Sequence, residues 1–69
     1  MDQEQMNNSI RRFLKQVGIQ SHQELEQLLQ DAARAGTLGE APLPVEMTLS
    51  VPSLGFSHRI AAKLELGDD

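Results

Sequence analysis

The stretch Gly39-Glu40-Ala41-Pro42-Leu43-Pro44-Val45-Glu46-Met47-Thr48-Leu49-Ser50-Val51 holds the point where the hydrophobic period of this chain changes. Before Pro42 and Pro44, apolar residues recur at three and four, the spacing of one helix face. From Val45 onward they recur at two, the spacing of one strand face. Proline cannot donate to a helix ladder, and it biases the residue before it toward extended backbone. Residues 39–44 are therefore predicted to link a helical half to a strand half.

Downstream, Val45, Met47, Leu49 and Val51 alternate with Glu46, Thr48 and Ser50, the pattern of a half-buried strand. Pro52-Ser53-Leu54-Gly55 reads as a turn. Beyond it Phe56, His58, Ile60, Ala62, Leu64 and Leu66 share one face, and Ser57, Arg59, Ala61, Lys63 and Glu65 the other. A two-residue turn would oppose Val51 with Leu54 and Leu49 with Phe56. A four-residue turn would oppose Val51 with Phe56 and Leu49 with His58. The wider turn is preferred, because Pro52 does not give the primed geometry that two-residue hairpins favour. Both registers keep the same apolar set on one face, since they differ by two residues.

Upstream, Asn7, Asn8 or Ser9 can cap a first helix. Ile10, Phe13, Leu14 and Val17 follow it at i, i+3, i+4 and i+7. Lys15 suits the last turn, and Gly18 the left-handed position past the end. Ser21 and Glu24 have the spacing of a capping box and predict a second start. Leu25, Leu28, Leu29 and Ala32 form its apolar stripe, and Gly36 its stop. The connection Gly18-Ile19-Gln20 is short, so the two helices are expected to be packed neighbours. The expected fold is α+β: two antiparallel N-terminal helices packed on a C-terminal β-hairpin. Residues 1–6 are expected to form a flexible tail, 7–66 a single small domain, and 67–69 a frayed end.

Composition narrows the function classes. A chain of 69 residues is short enough to bury only about 60% of its unfolded surface. It has no cysteine, hence no disulfide and no thiolate ligand. Burial against a second copy is then an attractive source of stability. The net charge of −4 opposes non-specific binding to nucleic acid and to anionic membranes. No apolar run approaches the roughly 20 residues of a membrane span, and the polar start Met1-Asp2-Gln3-Glu4-Gln5 does not read as a signal peptide. A cytoplasmic protein is expected. Phe13 and Phe56 are the only aromatic residues, so stacking platforms for bases are scarce.

Motifs that carry chemistry are few. Two short helices with a tight turn and a following hairpin suggest a helix-turn-helix with a β wing. Its recognition helix would present Glu24, Glu26 and Asp31, with only Arg34 opposing them, which is poor chemistry for reading bases. Arg11, Arg12 and Lys15 are expected instead to form surface ion pairs with the acidic second helix, each worth little. His22 falls in an ordinary polar position. His58 stands on the apolar face, where it is either a core-margin histidine or the centre of a metal or small-ligand sensor. No second histidine lies at metal-ligand spacing from either one. The carboxylate pairs Glu24 and Glu26, and Asp68 and Asp69, lie on no buried face that would tune them. Ser21 is assigned to its cap, and no phosphate-binding glycine motif occurs. No catalytic residue, cofactor or metal is expected, and the chain is not read as an enzyme.

The sheet edges carry the strongest functional signal. A lone hairpin exposes two edges and is marginal by itself. The second strand is long, free of proline and apolar at alternate residues, with Arg59, Lys63 and Glu65 as charged gatekeepers on the other face. It could pair with a second copy or accept a partner's strand. The expected function is a small non-enzymatic protein-interaction module, a homo-oligomer or the binder of a small protein partner. Phe56, His58, Ile60 and Leu64 form the contact. The alternative is a helix-turn-helix-like nucleic-acid-binding regulator.

The runs N-x-S-I-R-x-F-L-K-x-V-G-I-x-S-x-x-E-L-E, from Asn7 to Glu26, and M-T-L-x-V-x-x-L-x-F-x-H, from Met47 to His58, carry a family likeness. The chain from Met6 to Leu66 resembles a small family of uncharacterised bacterial proteins catalogued as a domain of unknown function. The resemblance implies no activity, cofactor or catalytic residue. It does imply a histidine at the place of His58. Met1 to Gln5 lie outside the shared pattern.

Overall fold

The computed structural model describes residues 1–67. The order of elements is one long helix, α1 (Gln3–Ala35), then strand β1 (Leu43–Val51), a single 3-10 turn (Pro52–Leu54) and strand β2 (Phe56–Leu64). The class is α+β, with one helix where two were expected. The chain divides into two compact units, Met1–Leu38 and Gly39–Asp69.

The helix starts earlier than Asn7. Asp2 is its N-cap: Oδ1 accepts from the backbone N–H of Glu4 at 2.9 Å and of Gln5 at 3.2 Å. This satisfies two of the four amides that a helix start leaves without partners. Residues 3–6, read as part of the tail, are thus the first turn. Glu4 adds a negative charge where the helix dipole favours one.

The helix then runs through Gly18 and Ser21 without a break. Gly18 does not take positive φ, and Ser21 lies mid-helix instead of capping a new one. The reason lies in what a break would cost. Two new ends would orphan four C=O and four N–H groups, and a second nucleus would be required. A glycine inside a helix costs only about 1 kcal/mol relative to alanine. The apolar stripe also survives the junction. Val17, Ser21 and Leu25 are spaced by four, and at ~100° per residue Leu25 is turned only about 80° from Val17. The two sets assigned to separate helices are therefore one stripe along 33 residues, about 50 Å of helix.

The end at Gly36 is as expected. Gly36 has φ 72°, in the left-handed region. Its N–H donates to the carbonyl of Ala33 at 3.2 Å, and Thr37 N–H to that of Ala32 at 2.9 Å. This pair of bonds is a Schellman closure.

The hairpin pairs antiparallel in the wider of the two registers, with Val51 opposite Phe56 and Leu49 opposite His58. Gly55, at φ 62°, closes the turn by donating its N–H to the Pro52 carbonyl at 3.0 Å. β1 begins at Leu43, so Pro44 lies in the strand, opposite Lys63, and not in the linker. β2 ends at Leu64, two residues short of the expected Leu66. Asp68 and Asp69, the end of the segment expected to fray, lie outside the described residues.

One stability change follows from the helix. A Cβ built on Gly18 meets nothing within 4 Å. Gly18→Ala is expected to stabilise α1 by about 1 kcal/mol, read as a higher midpoint in a circular-dichroism thermal melt.

Candidate functional site

Alternation along the paired strands sorts the hairpin into two faces. One carries the facing pairs Leu43–Leu64, Val45–Ala62, Met47–Ile60, Leu49–His58 and Val51–Phe56. The other carries Pro44–Lys63, Glu46–Ala61, Thr48–Arg59 and Ser50–Ser57. The four expected contact residues, Phe56, His58, Ile60 and Leu64, all fall on the first face, on one strand. Leu64 is half-buried, whereas Phe56 is 48% exposed and Ile60 52%. Met47 across from Ile60 is 43% exposed. Nearly every position on this face is apolar, and its one titratable group is His58.

The His58 ring lies beside that of Phe56, with centroids 6.4 Å apart and planes tilted by 31°. His22 lies far from it in sequence, on an exposed part of α1. No group of three or more His, Cys, Asp or Glu is gathered among the described residues, so nothing assembles around His58 as a metal centre.

The polar face carries a weak cross-strand ion pair. Arg59 Nη1 reaches Glu46 Oε1 at 3.4 Å across the strands, with both side chains mostly exposed, so the pair contributes little. A shallow, open hollow on this side is lined by residues including Pro44, Glu46, Arg59, Ala61 and Lys63. Its charged lining residues, Glu46, Arg59 and Lys63, are all exposed, whereas the polar groups that fix a small molecule sit in an enclosed, mostly apolar cleft.

On α1 the side-chain pairs are local. Arg34 meets Asp31 one turn away, Gln27 Nε2 donates to Asp31 Oδ1 at 3.1 Å, and Arg11 Nη1 donates to Asn8 Oδ1 at 2.9 Å. Arg11 was expected to pair with a neighbouring acidic helix, and that helix is the continuation of its own. The helix-turn-helix reading loses its turn for the same reason. Glu24 and Glu26 stand exposed on α1, and Ser21 lies inside the helix, whose N-cap is Asp2.

Sequence reasoning missed the continuity of the helix stripe. Ile10, Phe13, Leu14 and Leu28 are each about half exposed or more, and no residue of α1 is buried. The signal was present in the fourfold spacing that joins Val17 to Leu25 through Ser21. The cap at Asp2 was also legible, because Asp2-x-x-Gln5 has the spacing of a capping box.

Together these features define a small α+β chain of one capped helix and one two-faced hairpin, with no group of three or more metal-ligating side chains gathered among the described residues. The chain belongs to the family of unknown function DUF6494, in a match that spans residues 1–67. The family resemblance is thereby borne out, and the shared region includes Met1 to Gln5, where the helix cap lies. No curated protein and no solved structure matches the chain. No helix among the described residues is long and apolar enough to cross a membrane.

Proposed function

We propose that this chain is a small, non-enzymatic interaction module that self-associates through β2, using its open edge and the face formed by Phe56, His58, Ile60 and Leu64. The observation that carries this reading is the apolar face of a two-stranded sheet, with Met47, Phe56 and Ile60 each left about half exposed. Two strands are too few for independent stability, and each has an unpaired row of backbone donors and acceptors. Pairing β2 with a second copy would satisfy one such row. The same contact would remove the Phe56 and Ile60 side chains from water.

Full burial of a side chain of this size is worth about 1.5–3 kcal/mol. Sedimentation equilibrium of the full chain is expected to show a dimer or larger species. Ile60→Glu is expected to weaken that association by at least about tenfold, since each 1.4 kcal/mol is a factor of ten. A folded, monomeric wild-type chain at high concentration, or unchanged association in the Ile60→Glu variant, would overturn the reading.

A further inference from the structure

The apolar stripe of α1 has the same spacing read from either end. Met6, Ile10, Phe13, Val17, Ser21, Leu25, Leu28 and Ala32 are separated by 4, 3, 4, 4, 4, 3 and 4 residues. Laid against a reversed copy of itself, the stripe sets Ile10 opposite Leu28, Phe13 opposite Leu25, Val17 opposite Ser21 and Met6 opposite Ala32. Met6 then faces the small Ala32 and Val17 the small Ser21, the large-against-small filling of well-packed interfaces, while Ile10–Leu28 and Phe13–Leu25 form the bulky layers between them. A parallel pair would instead stack Phe13 on Phe13, Ser21 on Ser21 and Ala32 on Ala32, giving a crowded layer at Phe13 and underfilled ones at Ser21 and Ala32.

Charge points the same way. Between the first and last turns, which hold Glu4 and Arg34, the first half of α1 carries Arg11, Arg12 and Lys15, and the second half carries Glu24, Glu26 and Asp31. In a parallel pair, cations lie level with cations and carboxylates with carboxylates. In an antiparallel pair, Arg12 comes level with Glu26, and Glu4 with Arg34. Opposite charge over the length of two touching helices favours one orientation and penalises the other. The period supports close contact over that length. Met6, Val17 and Leu28 recur at eleven, as do Ile10, Ser21 and Ala32, and an eleven-residue repeat keeps a seam facing its partner in helices that wind around each other with a right-handed supercoil.

We infer that α1 is a second self-recognition surface, and that its occupant is α1 of another copy of this chain, antiparallel and in the register that places Met6 against Ala32. The surface is separate from β2 and goes beyond the proposed function. The absence of cysteine makes it directly testable by disulfide trapping in the full chain. Met6→Cys and Ala32→Cys chains are mixed and oxidised, and each is also oxidised alone. The antiparallel pair gives a mixed disulfide between the two variants in large excess over either homodimer. Met6–Met6 or Ala32–Ala32 linkage in its place, or no linkage in any sample, overturns the inference.

A second arm separates this surface from the hairpin. With Ile60→Glu added to both cysteine chains, the mixed disulfide is expected to persist unchanged. With Leu28→Glu added instead, it is expected to fall at least tenfold. A mixed disulfide abolished by Ile60→Glu and indifferent to Leu28→Glu also overturns the helix pairing, and would leave the hairpin contact standing alone. Packing of the stripe against the hairpin of its own chain would appear as a monomer with no linkage.

Discussion

Replacing Gln20 by proline is expected to remove a large part of the helical signal of this chain. In a continuous α-helix the amide of residue 20 bonds to the carbonyl of residue 16. Proline has no amide hydrogen, and its ring clashes with that same carbonyl, at a cost of about 3 kcal/mol or more. The penalty falls in the middle of Gln3–Ala35. The remaining halves, 17 residues over 3–19 and 15 over 21–35, are close to the ~12–15 residues at which an isolated helix becomes marginal in water. Far-UV circular dichroism of the full chain is the measurement, with Gln20→Ala as the control for loss of the side chain. The substitution discriminates sharply between architectures. Were a turn present at Gly18-Ile19-Gln20, residue 20 would precede the Ser21 cap, a place where proline is tolerated. An unchanged spectrum in Gln20→Pro would restore the two-helix arrangement. If helices pair through α1, the same variant should also lose the Met6–Ala32 linkage, because its two halves no longer share a seam.

The point at issue in that experiment is also where sequence and structure part company. Gly36 was legible as a stop because the residues around it leave no competing choice: the period ends there and two prolines follow. Gly18 and the Ser21–Glu24 pair carry the same chemical signals, yet they act on nothing. A capping side chain can satisfy a free amide only where the backbone has already been broken. Whether it breaks is decided by the sum over the whole segment, which sets the orphaned groups at two new ends against the packing of two short helices. Such a sum is not written in any four residues. The phase of the stripe was the better guide, since Val17, Ser21 and Leu25 stay in step across the supposed turn.

The hairpin was legible for the opposite reason. Its face depends on a period of two that every candidate register preserves, so Phe56, His58, Ile60 and Leu64 share one face whichever turn forms. Its register followed from the chemistry of one residue, Pro52, which fits the start of a tight helical turn and not a primed one. The boundaries were less legible. Pro44 read as linker because it breaks a helix and the period of two was counted from Val45, but a two-stranded sheet consists only of edges, where proline is accepted.

The turn itself rests on Gly55, and Gly55→Val is expected to dissolve the hairpin. At φ 62° a residue with a Cβ is strained by roughly 1–2 kcal/mol, and a β-branched side chain tolerates the region least. Space is not the obstacle, because a Cβ there meets nothing within 4 Å. The strain is in the backbone alone. A two-stranded sheet has little stability to set against it, so the pairing of Val51 with Phe56 should be lost or reduced to a minor population. Cross-strand nuclear Overhauser contacts between β1 and β2 report this directly. Gly55→Asn serves as the comparison, since asparagine enters the left-handed region more readily and should keep most of the contacts. The variant also tests how the two proposed surfaces relate. Loss of the turn removes the apolar face and the edge of β2 together, so association through the hairpin should disappear. The Met6–Ala32 linkage depends only on α1 and should remain. A chain that lost both at once would show that helix pairing needs the hairpin, and that the two units do not recognise their partners independently.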